Sequence, residues 1–231
     1  MKKTWIVNIR ILSLVTMLVL LTGCSMPIPH SYSAESIEGW FVDEDTKRPL
    51  DGVIVVAVWI IQGYTFGNRF PLGQLKIMEA VTDKNGRFYF PAWGPKMVLR
   101  GQLDFETPEL IMFKNGYRAG AMSNDYRKKQ NGSKRYSDWN GKIITLPKFE
   151  GSLEEYGDHL STIGSILRFA LRNPTSACEW KKIPRMVVAI HKQRLIFGAA
   201  RISNLLYSID ELAKNSPKSC GSPHAFFRSY L

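Results

Sequence analysis

VIVVAVWII, residues 53–61, is the stretch that decides the fold. A continuous apolar run of this length is short for a helix and rich in β-branched residues. It therefore reads as a strand buried on both faces. Alternation puts Val53, Val55 and Ala57 on one face and Ile54, Val56 and Val58 on the other. Upstream, IEGWFV (37–42) is a shorter strand, joined to the long one by the charged turn segment DEDTKRPLDG, which holds Pro49 and Gly52. Downstream, after a break that holds the 11-residue stretch GYTFGNRFPLG, KIMEAVT leads into the hairpin signal DKNG (83–86) and then RFYF, where Phe88 and Phe90 share a face. PAWGP turns the chain, ELIMF (109–113) with NGY gives a further strand and turn, and KIITL (142–146) is the last strand. Short strands separated by turn signals predict an antiparallel β-sandwich.

From Ser152 the pattern becomes helical. Ser152 and Glu155 form a capping box, and Leu153, Tyr156, Leu160, Ile163, Leu167 and Leu171 recur at helical spacing until Pro174. Pro184 suits the first turn of a second helical segment, in which Met186, Ile190, Phe197, Ile202, Leu205, Ile209 and Leu212 supply an apolar face. An amphipathic pair of this kind is most simply a layer that covers the sheet or extends its core.

The N-terminus carries a different signal. Lys2, Lys3 and Arg10 are the only charges ahead of the apolar run ILSLVTMLVL, which is too short to cross a bilayer core of about 20 residues. This predicts a secretory signal peptide over residues 1–23. Leu21, Thr22, Gly23 and Cys24 resemble a bacterial lipobox. The resemblance implies diacylglycerol on the Cys24 sulfur, cleavage before Cys24 and acylation of the new amino group, whereas an ordinary signal peptide would place Cys24 near the cut by coincidence. Ser25 rather than Asp follows the cysteine, which implies the outer membrane in a Gram-negative cell. Residues 24–36, with two prolines in MPIPHSYSAES, read as an extended tether.

Processing would lower the formal charge from +11 to +8, a surface suited to anionic lipid, glycan or an acidic envelope protein. Export argues against nucleic acid. With Cys24 assigned to lipid, Cys178 and Cys220 remain as an even pair in an oxidising compartment, and a disulfide is the preferred reading over two separate thiols. A single straight helix over residues 185–214 would span about 45 Å. That bond consequently needs a break or a shortened helix, with the break expected near Gly198.

Catalytic and metal patterns are missing from the sequence. DKNG lacks the further acidic ligands of a calcium loop, and the cysteines have no zinc spacing. His30 lies in the tether, His159 in the first helix without a zinc-hydrolase motif, His191 beside Lys192 and Arg194 as an expected surface residue, and His224 near the end. No nucleophile elbow, phosphate loop or dinucleotide fingerprint occurs. The expectation is a protein without catalysis, cofactor or metal. The alternative is an envelope hydrolase that assembles His159, His191 or His224 with carboxylates in the fold.

Two loops are the candidate binding regions. GYTFGNRFPLG (63–73) carries Tyr64, Phe66 and Phe70, which either meet a partner or fold back over the open end of the sandwich, the second being preferred. NDYRKKQNGSKRYSDWNG (124–141) interleaves Arg127, Lys128, Lys129, Lys134 and Arg135 with Tyr126, Tyr136 and Trp139, a composition suited to polyanions or else to a solvated loop.

The order of these pieces is similar to a known family. IEGWFVDEDTKRPLDGVIVVAVW, then EAVTDKNGRFYFPAWG, then ELIMFKNGY resemble the carboxypeptidase regulatory-like domain of the transthyretin-like superfamily, over roughly residues 36–122. The resemblance implies a non-catalytic module for stability, adhesion or ligand contact. The histidine and arginine set and C-terminal Y-R-G-S of transthyretin-like hydrolases are missing. The fold class expected is α+β: a transthyretin-like β-sandwich over 37–147, followed by a helical extension over 148–231.

Overall fold

A computed structural model describes residues 30–128, 132–171 and 178–231. Residues 1–23, read above as a signal peptide, and Cys24, Lys129 and Pro174 lie outside these residues. The fold is α+β with mostly antiparallel sheets. The strands are β1 His30–Ala34, β2 Ile37–Asp43, β3 Ile54–Thr65, β4 Asn68–Val81, β5 Arg87–Phe90, β6 Trp93–Val98, β7 Gln102–Leu103, β8 Glu109–Phe113, β9 Gly120–Met122, β10 Lys134–Arg135 and β11 Lys142–Leu146. Helices α1 Leu153–Ala170, α2 Pro184–Ala199, α3 Ile209–Asn215 and α4 Pro223–Phe227 follow.

Strand β3 is the centre of the largest sheet, flanked by β4 on one side and by β8, with β9 beyond it, on the other; β7 also pairs with β3. Both of its faces are covered, as the apolar run predicts. Val55, Ala57 and Trp59 meet Phe41, Phe88, Phe90 and Ile144, which come from the three-stranded sheet β11–β2–β5. Tyr32, Ala34 and Val98 from the sheet β10–β1–β6 join the same cluster. Val56 and Val58 point the other way, into a second cluster with Leu160, Ile163, Met186, Ile190 and Phe197 of the helices. Each fully buried aliphatic side chain of this kind contributes about 1.5–3 kcal/mol. The helical region is thus a layer on the outer face of the central sheet.

Several local expectations hold. Ser152 and Glu155 exchange backbone-to-side-chain hydrogen bonds of 2.7 and 3.2 Å at the start of α1. Tyr156, Leu160, Ile163 and Leu167 are buried along one stripe, while Leu153 at its head is exposed. Helix α2 ends at Ala199, next to Gly198, and the chain runs without helix to Ile209. That break lets Cys178 and Cys220 meet as a disulfide with their Cα atoms 5.4 Å apart. In the chain-entropy model, closing a loop of this length is worth about 4 kcal/mol.

Other expectations are corrected. The segment read as tether contains β1, whose Tyr32 and Ala34 are buried and whose backbone pairs with β6 and β10. Gly94, at φ +116, permits this approach, because a Cβ there would lie 2.5 Å from that of Ser33. The break that holds GYTFGNRFPLG is no interruption, since β3 and β4 continue as one ladder to Thr65↔Asn68. DKNG is a turn between sheets rather than a hairpin: β4 pairs with β3, and β5 pairs with β2. Gly86 is required there, with φ +73 and its Cα close against the Phe41 carbonyl. Pairing is not wholly antiparallel, as β11 lies parallel to β2 and β10 parallel to β1. In the helical region Leu206, not Leu205, takes the core position, and Leu205 is exposed.

Candidate binding surface

The β3–β4 ladder outruns the layers that cover it. Beyond Ile61 its pairs are Gln62↔Pro71, Gly63↔Phe70, Tyr64↔Arg69 and Thr65↔Asn68. Phe66 and Gly67 close the ladder with φ of 47° and 82°. Two successive left-handed residues match the twist of a tight hairpin, although a bulky residue seldom adopts that conformation. The Phe66 side chain is fully exposed, at 101%, and Tyr64 is 55% exposed. Phe70 lies across Gly63, where a Cβ would come within 2.8 Å of its ring. Of the three rings, only Phe70 folds back in this way, and the preferred reading of a loop closing over the sandwich is corrected.

Two clefts, of about 500 and 720 Å³, adjoin the base of this hairpin and share His30, Tyr64 and Gln102. The first also involves Phe105 and Arg135, the second Phe70, Leu72, Leu99 and Arg100. Leu99 and Met97, at 67% and 63% exposure, extend the apolar surface beside the hairpin. Arg69 stacks over Phe105 at 4.7 Å and faces Glu106 at 3.7 Å and Asp104 at 4.0 Å. Gln62 donates to Asp104 at 2.6 Å. Nearby Glu109 has its pKa raised by burial and then by Asp104 and Glu106. Ring faces, amides and the exposed Arg69 and Arg100 make this end a surface for contact. His30, Leu99, Arg100 and Gln102 carry no local signal, because the β1–β6 and β3–β7 pairings bring them beside the hairpin.

The basic loop is arranged differently from its sequence. Arg127 grips Asp125 through two 2.9 Å hydrogen bonds, and Lys128 meets Asp138 at 2.9 Å. Lys134 reaches Glu35 at 2.8 Å. Arg127 lowers the pKa of Asp125. Arg135 is only 4% exposed: its guanidinium lies 5.1 Å over Tyr32 and donates to the Leu103 carbonyl at 3.1 Å and to that of Gly132. Burial lowers its pKa. It is a buried structural cation, not a loop contact. Trp139 is also partly buried, donating to the Ser123 carbonyl at 3.1 Å.

Of the remaining histidines, His159 stands apart from the other two, whereas His191 and His224 both lie near Asp210. His159 lies beside Phe149, with ring centroids 5.5 Å apart, and burial lowers its pKa. His191, expected at the surface, is 8% exposed; its Nδ1 accepts from the Ile209 amide at 3.3 Å, and burial lowers its pKa. His224 faces Asp210 at 3.4 Å. None of these three lines either cleft. Among the described residues, no group of three or more His, Cys, Asp or Glu stands close enough to hold a metal ion. Also among them, no helix is long and apolar enough to cross a membrane.

No family model matches the chain. No curated protein matches it either. Solved structures match it at low similarity. The 3-chlorocatechol 1,2-dioxygenase of Rhodococcus opacus 1CP is 17% identical over 54% of this chain and 64% of its own, with a TM-score of 0.31. The dioxygenase domain of a dioxygenase carbohydrate-binding protein fusion from Streptomyces sp. SirexAA-E is 14% identical over 57% of this chain and 86% of its own, with a TM-score of 0.26. A 9R-lipoxygenase from Cyanothece PCC8801 is 13% identical over 71% of this chain and 26% of its own, at 0.23.

Proposed function

We propose that this protein is a bacterial envelope lipoprotein. Acyl chains on Cys24 hold it at a membrane, and a transthyretin-like β-sandwich with a helical extension displays its loops there. Its role is binding or structural, without catalysis. The observation that carries this reading is the basic segment and apolar run ending in Leu21, Thr22, Gly23 and Cys24. Two or three acyl chains anchor stably where one does not. The Cys178–Cys220 disulfide is in keeping with an oxidising compartment. The sequence of elements supports the transthyretin-like assignment: a long central strand, a T-D-x-x-G turn between sheets and a strand followed by an N-G-Y turn. Contact partners suited to the surface are anionic lipid, glycan or another envelope protein. The intact mass of the protein purified from membranes is expected to show acyl chains on a chain starting at Cys24, and the Cys24→Ala variant is expected to leave the detergent phase. A Cys24→Ala variant still retained in that phase overturns the reading.

A further inference from the structure

The exposed hairpin and the start of the described chain lie at the same end of the molecule. His30 pairs with Val98, so Leu99 follows immediately beside it, and His30 shares both clefts with Tyr64. Five residues separate Cys24 from His30, and the six steps between them span at most about 22 Å. The opposite end of the β3–β4 ladder, at Ile54↔Val81, lies 11 residues of strand from Thr65, which corresponds to about 36 Å. An anchor at Cys24 therefore holds the hairpin end near the bilayer, with the DKNG turn at the far end.

Resting on the lipid-anchor reading above, we propose that the tip of the β3–β4 hairpin is a second membrane contact, in which Phe66, flanked by Tyr64 and Leu99, enters the headgroup–acyl boundary. The chemistry fits that occupant. A ring held fully in solvent by a left-handed backbone gains by leaving water, and aromatic residues favour the interface of a bilayer. Tyr64 offers a ring with a polar end, while Arg100, exposed at the rim, suits anionic headgroups. Covalent lipid fixes position, and the hairpin fixes orientation, so the helical layer and the basic loop are presented at a defined tilt.

The test uses the full lipidated chain in phosphatidylethanolamine–phosphatidylglycerol vesicles containing a lipid with a nitroxide near its headgroup. Phe66→Cys gives one reactive thiol, since Cys178 and Cys220 are bonded and Cys24 is acylated in this reading. An environment-sensitive fluorophore is attached there, and Lys84→Cys, at the exposed far turn, serves as the control. Flotation of the vesicles reports the anchor independently of the label. Flotation with loss of most fluorescence at residue 66 and none at residue 84 is the expected result. Flotation with equal, unquenched labels overturns the hairpin contact and leaves the anchor standing. A label at residue 66 shielded from aqueous iodide yet untouched by the nitroxide marks a protein occupant, a second copy included, and overturns it too. Failure to float removes the anchor reading and the contact with it.

Discussion

The two halves of the β3–β4 ladder are both antiparallel, separated by register shifts at Trp59/Ile60 and Ile61/Gln62, and have opposite surroundings. From Ile54 to Ile61 the strand is packed on one face by β2, β5 and β11 and on the other by α1 and α2. From Gln62 to Thr65 the hydrogen bonds continue, but Tyr64 and the turn residue Phe66 stand in solvent. The difference teaches that strand pairing does not by itself make a core. Apolar side chains of the outer half stay exposed because no layer extends over them, and this leaves them available to something outside the chain.

Three substitutions sharpen that contrast. Leu160→Ala removes a fully buried side chain from the helical cover of the inner half. A loss of about 3 kcal/mol in denaturant unfolding is expected from the cavity it leaves; a loss near zero would mean that the helices only rest against the sheet. Glu79→Ala is expected to cost about 1 kcal/mol, read from the same unfolding curve. Glu79 on β4 accepts from the amides of Arg185 and Met186 at 3.1 and 2.7 Å and so caps α2 from the sheet. Its burial raises the carboxyl pKa, opposed by those two amides. Phe66→Ser should change stability by no more than about 0.5 kcal/mol. A larger loss would show that the tip is part of the core after all.

What could be read from the sequence follows from the range of each interaction. β3 was legible because its own residues are apolar and branched, and the start of α1 because Ser152 and Glu155 are three residues apart. The need for a break or a shortened helix followed from the helix length once Cys178 and Cys220 were paired, and Gly198 marked the place. β1 was not legible: HSYSA contains only two inward side chains, and its strand character comes from Lys96–Val98 and Lys134–Arg135. The cap on α2 was hidden because Glu79 belongs to another element. In the candidate surface, the aromatic hairpin residues were visible as types but not as exposed. The basic loop looked unpaired because a count of cations does not see Asp125, Asp138 and Glu35 opposite them. The clefts were invisible, as His30, Tyr64 and Gln102 converge only through pairing of distant strands.

The parallel partnership of β2 with β11 sets an order of events for the newly made chain. Gly39 must wait for Lys142, and Ser33 for Lys134, before either small sheet is complete. Contacts so distant in sequence delay acquisition of structure, because loop closure has to precede the reward of pairing. A polypeptide arriving from its N-terminus onward consequently remains threadable until most of it has emerged.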